Sequence, residues 1–328
     1  MLKLRYLFEN YDLAKEALSH WRHDTERLDE ALSWFRISSN AIYPFYRDQK
    51  VCFLRLAPVE EKLERNVRGE LEFICWLNSR GYLAAKPIAS DVGEIMLRFD
   101  SKYGSYYACV FEHVGGIQIE KTDYSDQIMQ CYGKALGELH ALSACYKPQI
   151  RKWSHEDALV WIGDVLHTYP VKPCVLNELV AVRTALSVLP KTPQTYGLVH
   201  YDFEPDNVFF DKENQRCGVI DFDDGMYHWY ALDLEQAFEE ISEALEGERL
   251  SRAKRAFISG YAAAFPYSAD TEKLLPLMRR FCNLYAYARL IRAVDERFEK
   301  EPDWLVCLRK KLDAKCINYE HELECTQE

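Results

Sequence analysis

Three polar residues in this chain have the types and spacing that a base and two metal ligands would need. Asp202 lies five residues before Asn207, and Asp221 follows Asn207 by fourteen residues. Asp202 could accept or orient the proton of a substrate hydroxyl group, while Asn207 and Asp221 could offer hard oxygen ligands to Mg²⁺. Val208–Phe210 and Gly218–Ile220 predict short strands on either side of this loop. The chemistry that this pattern indicates is metal-assisted transfer of a phosphoryl group to a hydroxyl.

The part of the chain that precedes this pattern consists of short hydrophobic tracts typical of strands. Tracts at 34–46 and 51–56 predict two strands, and the polar run Arg47–Lys50 predicts the hairpin turn between them. Two further strands are predicted at 94–99 and 106–111. This region is therefore expected to fold around a small antiparallel sheet.

Helical periodicity dominates the remaining sequence. Apolar residues at helical spacing predict a helix at 65–79, which Gly81 should end, and a longer one at 127–142. The segment 155–189 predicts further helices broken by prolines, and the chain from Leu232 onward is again mostly helical. Together with the sheet, these elements predict an α+β, bilobal fold.

The chain resembles the aminoglycoside phosphotransferase family, which has a protein-kinase-like fold, over about residues 30 to 240. The family loop reads His-Gly-Asp-x-x-x-x-Asn, followed by a hydrophobic strand and Ile-Asp, whereas Tyr201 here replaces the glycine. Tyr132–His140 is similar to the family helix ahead of the loop, as are Leu54–Leu56 to its third strand and Ser38–Ala41 to its first hairpin. The matching loop residues are His200, Asp202, Asn207 and Asp221. The homoserine- and choline-kinase-like members look most similar.

The resemblance implies a division into two lobes with different roles. Residues 1–114 would form the nucleotide-binding lobe with its leading helix, and 115–328 the helical lobe with the catalytic loop and the substrate pocket. The glycine pair in Val114–Gly116 is the predicted hinge between them. ATP and Mg²⁺ are the implied cofactors.

Arg55 occupies the position where kinases commonly place a lysine that binds the nucleotide phosphates. An arginine keeps the positive charge and can grip phosphate or carboxylate through two hydrogen bonds. The alternative is an ordinary surface arginine on a strand. Glu70 is the predicted ion-pair partner because it shares a helical face with Ile74 and Leu77, and Glu72 is the second candidate.

Further nucleotide contacts are implied by the resemblance alone. Ser38, Ser39 and Asn40 would form a phosphate-facing loop that uses hydroxyl and backbone N–H groups, although it lacks the glycines of protein kinases. The backbone around Glu112 and Val114 would bind adenine, unless this is simply the end of a strand.

Several residues near the loop have two interpretations. Asp223 and Asp224 could contact a second metal or a cationic substrate group, or could form a solvated loop surface. Trp229 and Tyr230 could form a wall of the substrate pocket, although aromatic residues here more often belong to the core. Asp233 is expected to hold the catalytic loop, and His200 to have a similar structural role.

Composition indicates an ordinary soluble globular protein. The chain has 328 residues, of which 48% are hydrophobic and 28% charged, and a net charge of −11. Such an acidic balance argues against a nucleic-acid-binding surface. The eleven cysteines are scattered without a Cys-x-x-Cys pair, and the N-terminus lacks a signal-peptide pattern. We therefore expect a cytoplasmic protein that binds neither nucleic acid nor membrane.

The predicted activity is ATP-dependent phosphorylation of a hydroxyl on a small molecule, such as an amino-alcohol, an aminoglycoside or a related metabolite, which could be cationic. A Ser/Thr protein kinase of the same fold is the first alternative. A catalytically silent nucleotide-binding module is the second. The sequence leaves open the acceptor, the choice between ATP and GTP, the oligomeric state and any role in antibiotic resistance.

Overall fold

An antiparallel sheet forms the N-terminal part of the computed structural model, which describes residues 2–325. The strand order is β1-β2-β3-β6-β4, and β5 also pairs with β6. The strands are β1 (Arg36–Ile37), β2 (Ala41–Arg47), β3 (Lys50–Pro58), β4 (Pro87–Ile88), β5 (Leu97–Ser101) and β6 (Gly104–Glu112). All of these pairs are antiparallel, so the predicted sheet is confirmed.

The turn between β2 and β3 sets the register of the sheet. Asp48 and Gln49 have positive φ angles of 50° and 63°, which is the conformation of a two-residue hairpin turn that follows the twist of the strands. The carboxylate of Asp24 accepts hydrogen bonds from both N–H groups, at 3.1 and 2.8 Å. The resulting register places Arg55 opposite Ile42 on β2.

Helices cover one face of the sheet and leave Arg55 on the other. Leu54 and Leu56 of β3 are buried in a cluster with α1 (Tyr11–Leu18) and Trp21, and α2 (Leu28–Leu32) packs beside it. Because side chains alternate along a strand, Arg55 points to the opposite face. That face meets α3 (Glu64–Ser79). Gly81 follows two residues after the end of this helix, with a φ of +83°.

The C-terminal part of the chain is mainly helical, with two small antiparallel sheets. One sheet has the order β10-β9-β7 and the other pairs β11 with β8. These strands are β7 (Ile117–Gln118), β8 (Tyr196–Leu198), β9 (Val208–Asp211), β10 (Arg216–Val219) and β11 (Tyr227–Trp229). The helices are α4 (Asp126–Cys145), α5 (His155–Thr168), α6 (Pro173–Ser187), α7 (Ala231–Ala244), α8 (Gly247–Ala262), α9 (Ala269–Val294) and α10 (Asp303–Cys325). The predicted α+β class is therefore confirmed.

Helices α4 and α8 cross with their backbones in contact. An ideal Cβ atom added to Gly133 would lie 1.9 Å from the carbonyl oxygen of Phe257. A Cβ atom on Gly260 would lie 1.9 Å from the carbonyl oxygen of Gln130. Only glycine allows this approach at either position.

The first residues of the chain connect the two parts of the molecule. Leu4 is fully buried in a cluster with Leu290, Leu305 and Leu312 of α9 and α10. The N–H of Leu2 donates to the carbonyl oxygen of Ser38 at 3.0 Å, in the loop between β1 and β2. Within residues 2–325, no helix is both long and apolar enough to cross a membrane.

Candidate active site

Asp233, in the first turn of α7, holds the predicted catalytic loop through hydrogen bonds to its backbone. Its carboxylate accepts hydrogen bonds from the N–H groups of His200 and Tyr201, both at 2.8 Å. The ring Nε2 of His140 lies 3.0 Å from the same carboxylate. Asp233 and His140 are completely buried, so the loop is fixed by charge-assisted hydrogen bonds that water does not reach.

His200 connects the catalytic loop to Ile220, the residue before Asp221. Its Nε2 lies 2.9 Å from the carbonyl oxygen of Ile220, and its Nδ1 accepts from the N–H of Asp202 at 3.2 Å. Burial lowers the pKa of the His200 imidazole to about 4. The ring is therefore neutral near pH 7, in agreement with the structural role expected for it.

Tyr201 occupies the position where the family loop has glycine, and it keeps a glycine-like backbone. Its φ angle is +68°, a left-handed conformation that costs a bulky residue about 1–2 kcal/mol. The hydrogen bond to Asp233 holds this backbone in place. The ring is buried and meets Tyr285 edge to face, with centroids 5.2 Å apart.

Asp202 and Asn207 are hydrogen-bonded to each other. Asp221 lies two residues after the end of β10, next to Ile220, which pairs with Asn207. The amide nitrogen of Asn207 donates to the Asp202 carboxylate at 2.9 Å and to the Asp202 backbone oxygen at 3.0 Å. The N–H of Ile220 donates to the Asn207 carbonyl at 3.0 Å, which extends the pairing of β9 with β10. The structure thus brings the three residues of the sequence pattern to one end of a hairpin.

The electrostatics of this group favour a cation. Burial raises the pKa of Asp202 well above its usual range, and the charges of Glu204 and Asp221 add to the effect. Asp221 is open to solvent on one side, but protein surrounds it at longer range. The resulting loss of hydration raises the pKa of Asp221 to about 7, and the negative charge of Asp223 adds to this effect. A divalent cation would relieve this repulsion between carboxylates.

The donor set of Asn207 and Asp221 fits Mg²⁺. One carboxylate and one amide oxygen are hard ligands, and Mg²⁺ usually keeps several waters and substrate phosphate oxygens in addition. No group of three or more His, Cys, Asp or Glu residues within 2–325 is arranged to bind a metal.

Arg55 forms the predicted ion pair with Glu70. Two parallel hydrogen bonds join the guanidinium to the carboxylate, both at 2.7 Å, and the residues are 4% and 1% exposed. Burial would lower the pKa of Arg55, but the Glu70 carboxylate raises it well above its usual value. Glu72, the second candidate, instead accepts from the N–H groups of Gln149 and Ile150. The alternative of a surface arginine is therefore wrong.

We expect Glu70→Gln to lower the free energy of unfolding by about 3 kcal/mol, because the buried guanidinium of Arg55 would lose its counter-charge. Urea denaturation monitored by circular dichroism measures the change. Glu64→Gln is the matched control on the same helix, since its pair with Arg68 is exposed and should contribute less than about 1 kcal/mol. Equal stability of the two variants would contradict the expectation.

Asp223 is paired with two groups from the sheet region. The amide nitrogen of Asn40 donates to its carboxylate at 3.0 Å, and the ammonium of Lys62 forms a close ion pair with the same oxygen. Burial alone would raise the pKa of Asp223, but Lys62 lowers it below its usual value. The phosphate-facing loop predicted at Ser38–Asn40 thus contacts the segment that follows Asp221.

Asp224 is paired with a cation from the helical region. Arg289 of α9 lies 2.7 Å from its carboxylate and also donates to the hydroxyl of Ser39 at 3.1 Å. Burial would raise the pKa of Asp224, but the guanidinium lowers it below its usual range. The interpretation of Asp223 and Asp224 as a solvated loop surface is therefore wrong, because both carboxylates are largely buried and paired.

The predicted hinge packs against the β9–β10 hairpin. β6 ends at Glu112, whose N–H donates to the carbonyl of Lys86 at 2.9 Å. A Cβ atom on Gly218 would lie 2.4 Å from a methyl group of Val114. Gly116 has a φ of +118°, and a Cβ atom there would lie 2.7 Å from the carbonyl oxygen of Phe210. Glycine at these two positions lets the connection run directly over the hairpin.

A cavity of about 260 Å³ lies beside the paired carboxylates. The β3–α3 loop forms one side, and α9 with the residues before and within α5 forms the other. The residues that define its character are Trp153, Trp161, Asp223, Asp224, Tyr285 and Arg289. We call this space the polar-aromatic cavity. It lies next to the catalytic loop because the Tyr285 ring contacts that of Tyr201.

Trp229 and Tyr230 lie in the core and do not line this cavity. They are 1% and 2% exposed. The indole N–H of Trp229 donates to the carbonyl of Pro190 at 3.0 Å, and the Tyr230 ring stacks on His140 at 4.5 Å. The expectation that they form a wall of the substrate pocket is corrected, and the core interpretation describes both residues.

Lys62, Arg289 and Arg292 complete the charged environment, and sequence reasoning did not single them out. Arg292 forms a close ion pair with Glu61, and both line the polar-aromatic cavity. Glu61 and Lys62 stand in a run of charged residues that resembles an ordinary surface turn. The spacing of Arg289 and Arg292 on one helical face, three residues apart, was the only available signal.

An antiparallel sheet region and a helical region, with an Asp–Asn–Asp loop presented beside a buried Arg–Glu pair, define a kinase-like fold. Residues 36–267 match the model of the phosphotransferase enzyme family, which covers more than half of the chain. The chain therefore belongs to the phosphotransferase enzyme family.

Individual relatives are distant. The amicoumacin kinase of Bacillus subtilis (strain 168) is 26% identical over 203 residues, which are 60% of this chain and 59% of that protein. The homoserine kinase of Caulobacter vibrioides (strain NA1000 / CB15N) is 24% identical over 227 residues, or 66% of this chain and 69% of that protein. The chain thus spans about three fifths to two thirds of the length of these curated relatives.

Solved structures share the fold over nearly the whole length. The amicoumacin kinase hAmiN, in complex with AMP-PNP, Ca²⁺ and Ami, has a TM-score of 0.80 at 18% identity, covering 98% of this chain and 95% of that one. A microcompartment-associated aminopropanol kinase has a TM-score of 0.71 at 20% identity, covering 96% of this chain and 97% of that one. At these identities the likeness concerns the fold alone.

Proposed function

We propose that this protein transfers the γ-phosphoryl group of ATP to a hydroxyl of a small molecule. The observation that carries the proposal is the joint placement of Asp202, Asn207 and Asp221 at one end of the β9–β10 hairpin. Membership of the phosphotransferase enzyme family supports the reaction class. The region 1–114 would hold the nucleotide and 115–328 the acceptor.

Each residue of the site has a distinct part in this scheme. Asp202 would orient the acceptor hydroxyl and accept its proton at the carboxylate that Asn207 holds. The side-chain oxygens of Asn207 and Asp221 would hold Mg²⁺, which supplies positive charge to the phosphate oxygens when bound. Arg55, fixed by Glu70, would donate to the same phosphates. Positioning and electrostatic stabilisation would therefore supply most of the rate enhancement.

The remaining contacts of the nucleotide would come from the sheet region. Ser38, Ser39 and Asn40 would face the phosphates, since this loop already contacts Asp223 and Arg289. The backbone of Glu112 and Val114 would face adenine at the end of β6. Phosphate binding by the side chains of Ser39 and Asn40 would compete with these two hydrogen bonds.

The polar-aromatic cavity is the proposed acceptor site. Its volume of about 260 Å³ is less than twice that of an engineered cavity of about 150 Å³ that holds benzene. The space suits an acceptor of metabolite size. Asp223 is already paired with Lys62, and Asp224 with Arg289. The two carboxylates would therefore contribute to acceptor binding indirectly, by holding these two cations in place.

The test has two parts. We expect ATP to raise the melting temperature of the purified protein only when Mg²⁺ is present, and we expect ATP consumption when a suitable acceptor is added. The panel contains homoserine, choline, ethanolamine, hydroxylysine, simple sugars and aminoglycosides, with the smaller compounds preferred. Absence of Mg²⁺-dependent ATP binding would remove the basis of the proposal. Labelled protein bands in a cell lysate, with no small-molecule product, would assign a protein substrate instead.

A further inference from the structure

The connection between α4 and α5, residues 146–154, is attached to α3 by hydrogen bonds and close packing. We call it the α4–α5 linker. The carboxylate of Glu72 accepts from the N–H groups of Gln149 and Ile150 at 2.7 and 2.9 Å. At Gly69 the linker touches the helix backbone, since a Cβ atom there would lie 2.7 Å from the carbonyl oxygen of Ile150. The linker therefore keeps a fixed position relative to α3.

The linker delivers one side chain to the segment that follows Asp221. The ammonium of Lys152 donates to the carbonyl oxygens of Phe222 and Asp223, at 2.9 and 2.8 Å. Lys152 is 3% exposed. Its stem lies against α3, because a Cβ atom on Gly69 would lie 2.9 Å from its Cγ. Among charged residues, such a buried lysine is unusual.

The two hydrogen bonds of the Lys152 ammonium have backbone carbonyl oxygens as acceptors, and neither acceptor is a carboxylate. Burial lowers the pKa of Lys152, and the charges of Glu70 and Asp223 oppose that effect. Burying an ammonium is unfavourable unless its hydrogen bonds are satisfied. Here two successive carbonyl groups satisfy it, so the ammonium and the local path of the chain after Asp221 depend on each other.

We propose that Lys152 is a positioning residue that fixes the backbone of Phe222 and Asp223, and with it the position of Asp221 beside Asn207, whose carbonyl accepts from the N–H of Ile220. The same linker is fastened to α3, which carries Glu70, the partner of Arg55. Lys152 thus fixes the position of Asp221, the proposed metal ligand, relative to Arg55, the proposed phosphate-binding residue. The inference rests on the proposed function for its catalytic consequence, but its structural part can be tested separately.

The test compares Lys152→Met with Arg151→Met. Methionine at position 152 keeps most of the side-chain stem against Gly69 but removes the ammonium. Arg151, the neighbouring residue of the linker, is exposed and lies over the ring of Tyr227 on β11. In nucleotide-free protein, we expect Lys152→Met to speed amide hydrogen exchange at residues 221–225, with no change for Arg151→Met. Unchanged exchange in Lys152→Met would overturn the positioning role.

The functional part uses binding of AMP-PNP. At fixed AMP-PNP, we expect Lys152→Met to raise the Mg²⁺ concentration at half-saturation by about 10- to 100-fold, as supporting residues around a metal site commonly do. Affinity for AMP-PNP without Mg²⁺ should stay within about twofold, and Lys152→Arg should recover most of the loss. An unchanged Mg²⁺ requirement would overturn this part.

A second variant covers the case in which Lys152→Met fails to fold. Gly69→Ala keeps the ammonium but pushes the linker away from α3, so it should also speed exchange at 221–225 and raise the Mg²⁺ requirement. Slow exchange in this variant counts against the inference. If wild-type protein shows no Mg²⁺-dependent AMP-PNP binding, the proposed function fails, while the exchange comparison still decides the role of Lys152 in the fold.

Discussion

Asp202→Ala is expected to lower kcat by about a thousandfold while leaving Mg²⁺-dependent ATP binding largely intact. General-base catalysis contributes roughly 10²- to 10⁴-fold, and Asp202 is the carboxylate that the Asn207 amide holds in place. The loss should appear in kcat and kcat/KM together, because the proton is accepted only as the reaction proceeds. Burial of Asp202 and the charges around it make this carboxyl unusually basic, which favours the role.

Two further variants separate the base from the metal ligand. Asp221→Ala should abolish the Mg²⁺-dependent rise in melting temperature, whereas Asp202→Ala should preserve it. Asp164→Ala is the control, because Asp164 is an exposed residue on α5 and should match wild type in both measurements. A kcat of Asp202→Ala above one tenth of the wild-type value would contradict the assignment of Asp202 as the base.

Gly260→Ala is expected to destabilise the protein by about 4 kcal/mol or more. The added methyl group would lie 1.9 Å from the carbonyl oxygen of Gln130, so α4 and α8 would have to separate. Overpacking of a core commonly costs about 1–3 kcal/mol, and here the contacted atom belongs to a helix backbone that cannot rotate away. Gly133→Ala, with the same distance to Phe257, should have a similar effect.

Chemical denaturation measures this loss against a glycine that has room. Gly163 lies within α5, and a Cβ atom there would meet only side-chain atoms, at 3.6 Å and beyond. Gly163→Ala should therefore raise stability by roughly 0.5–1 kcal/mol through its better helix propensity. If Gly260→Ala unfolds at the same denaturant concentration as Gly163→Ala, the close crossing of α4 and α8 is wrong.

The features that were predictable from sequence depend on short-range spacing. Asp202 and Asn207 precede β9 and Asp221 follows β10 of the same hairpin, so the hairpin pairing brings the two sides of the pattern together. Arg55 was predicted from the resemblance of Leu54–Leu56 to the third strand of the family, and Glu70 from the helical face that it shares with Ile74 and Leu77. Spacing therefore predicted the loop, whereas its electrostatic support also needed the family resemblance.

The features that were missed depend on contacts between distant segments. Asp223 meets Lys62, which lies 161 residues earlier in the chain, and Lys152 reaches the carbonyl of Phe222 across 70 residues. No local pattern marks either lysine, because a charged residue in a turn or linker is usually solvated. Trp229 was ambiguous for a related reason, since its type suits a binding pocket as well as a core, although the core was the favoured interpretation.

The polar-aromatic cavity draws part of its wall from outside the segment that matches the family model. Asp202, Asn207 and Asp221 all lie within the matched residues 36–267, whereas Leu2, Tyr285 and Arg289 lie beyond its two ends. Substitutions outside the matched segment, at Leu2, Tyr285 or Arg289, would therefore be able to reshape the proposed acceptor site while leaving the proposed base and metal ligands unchanged.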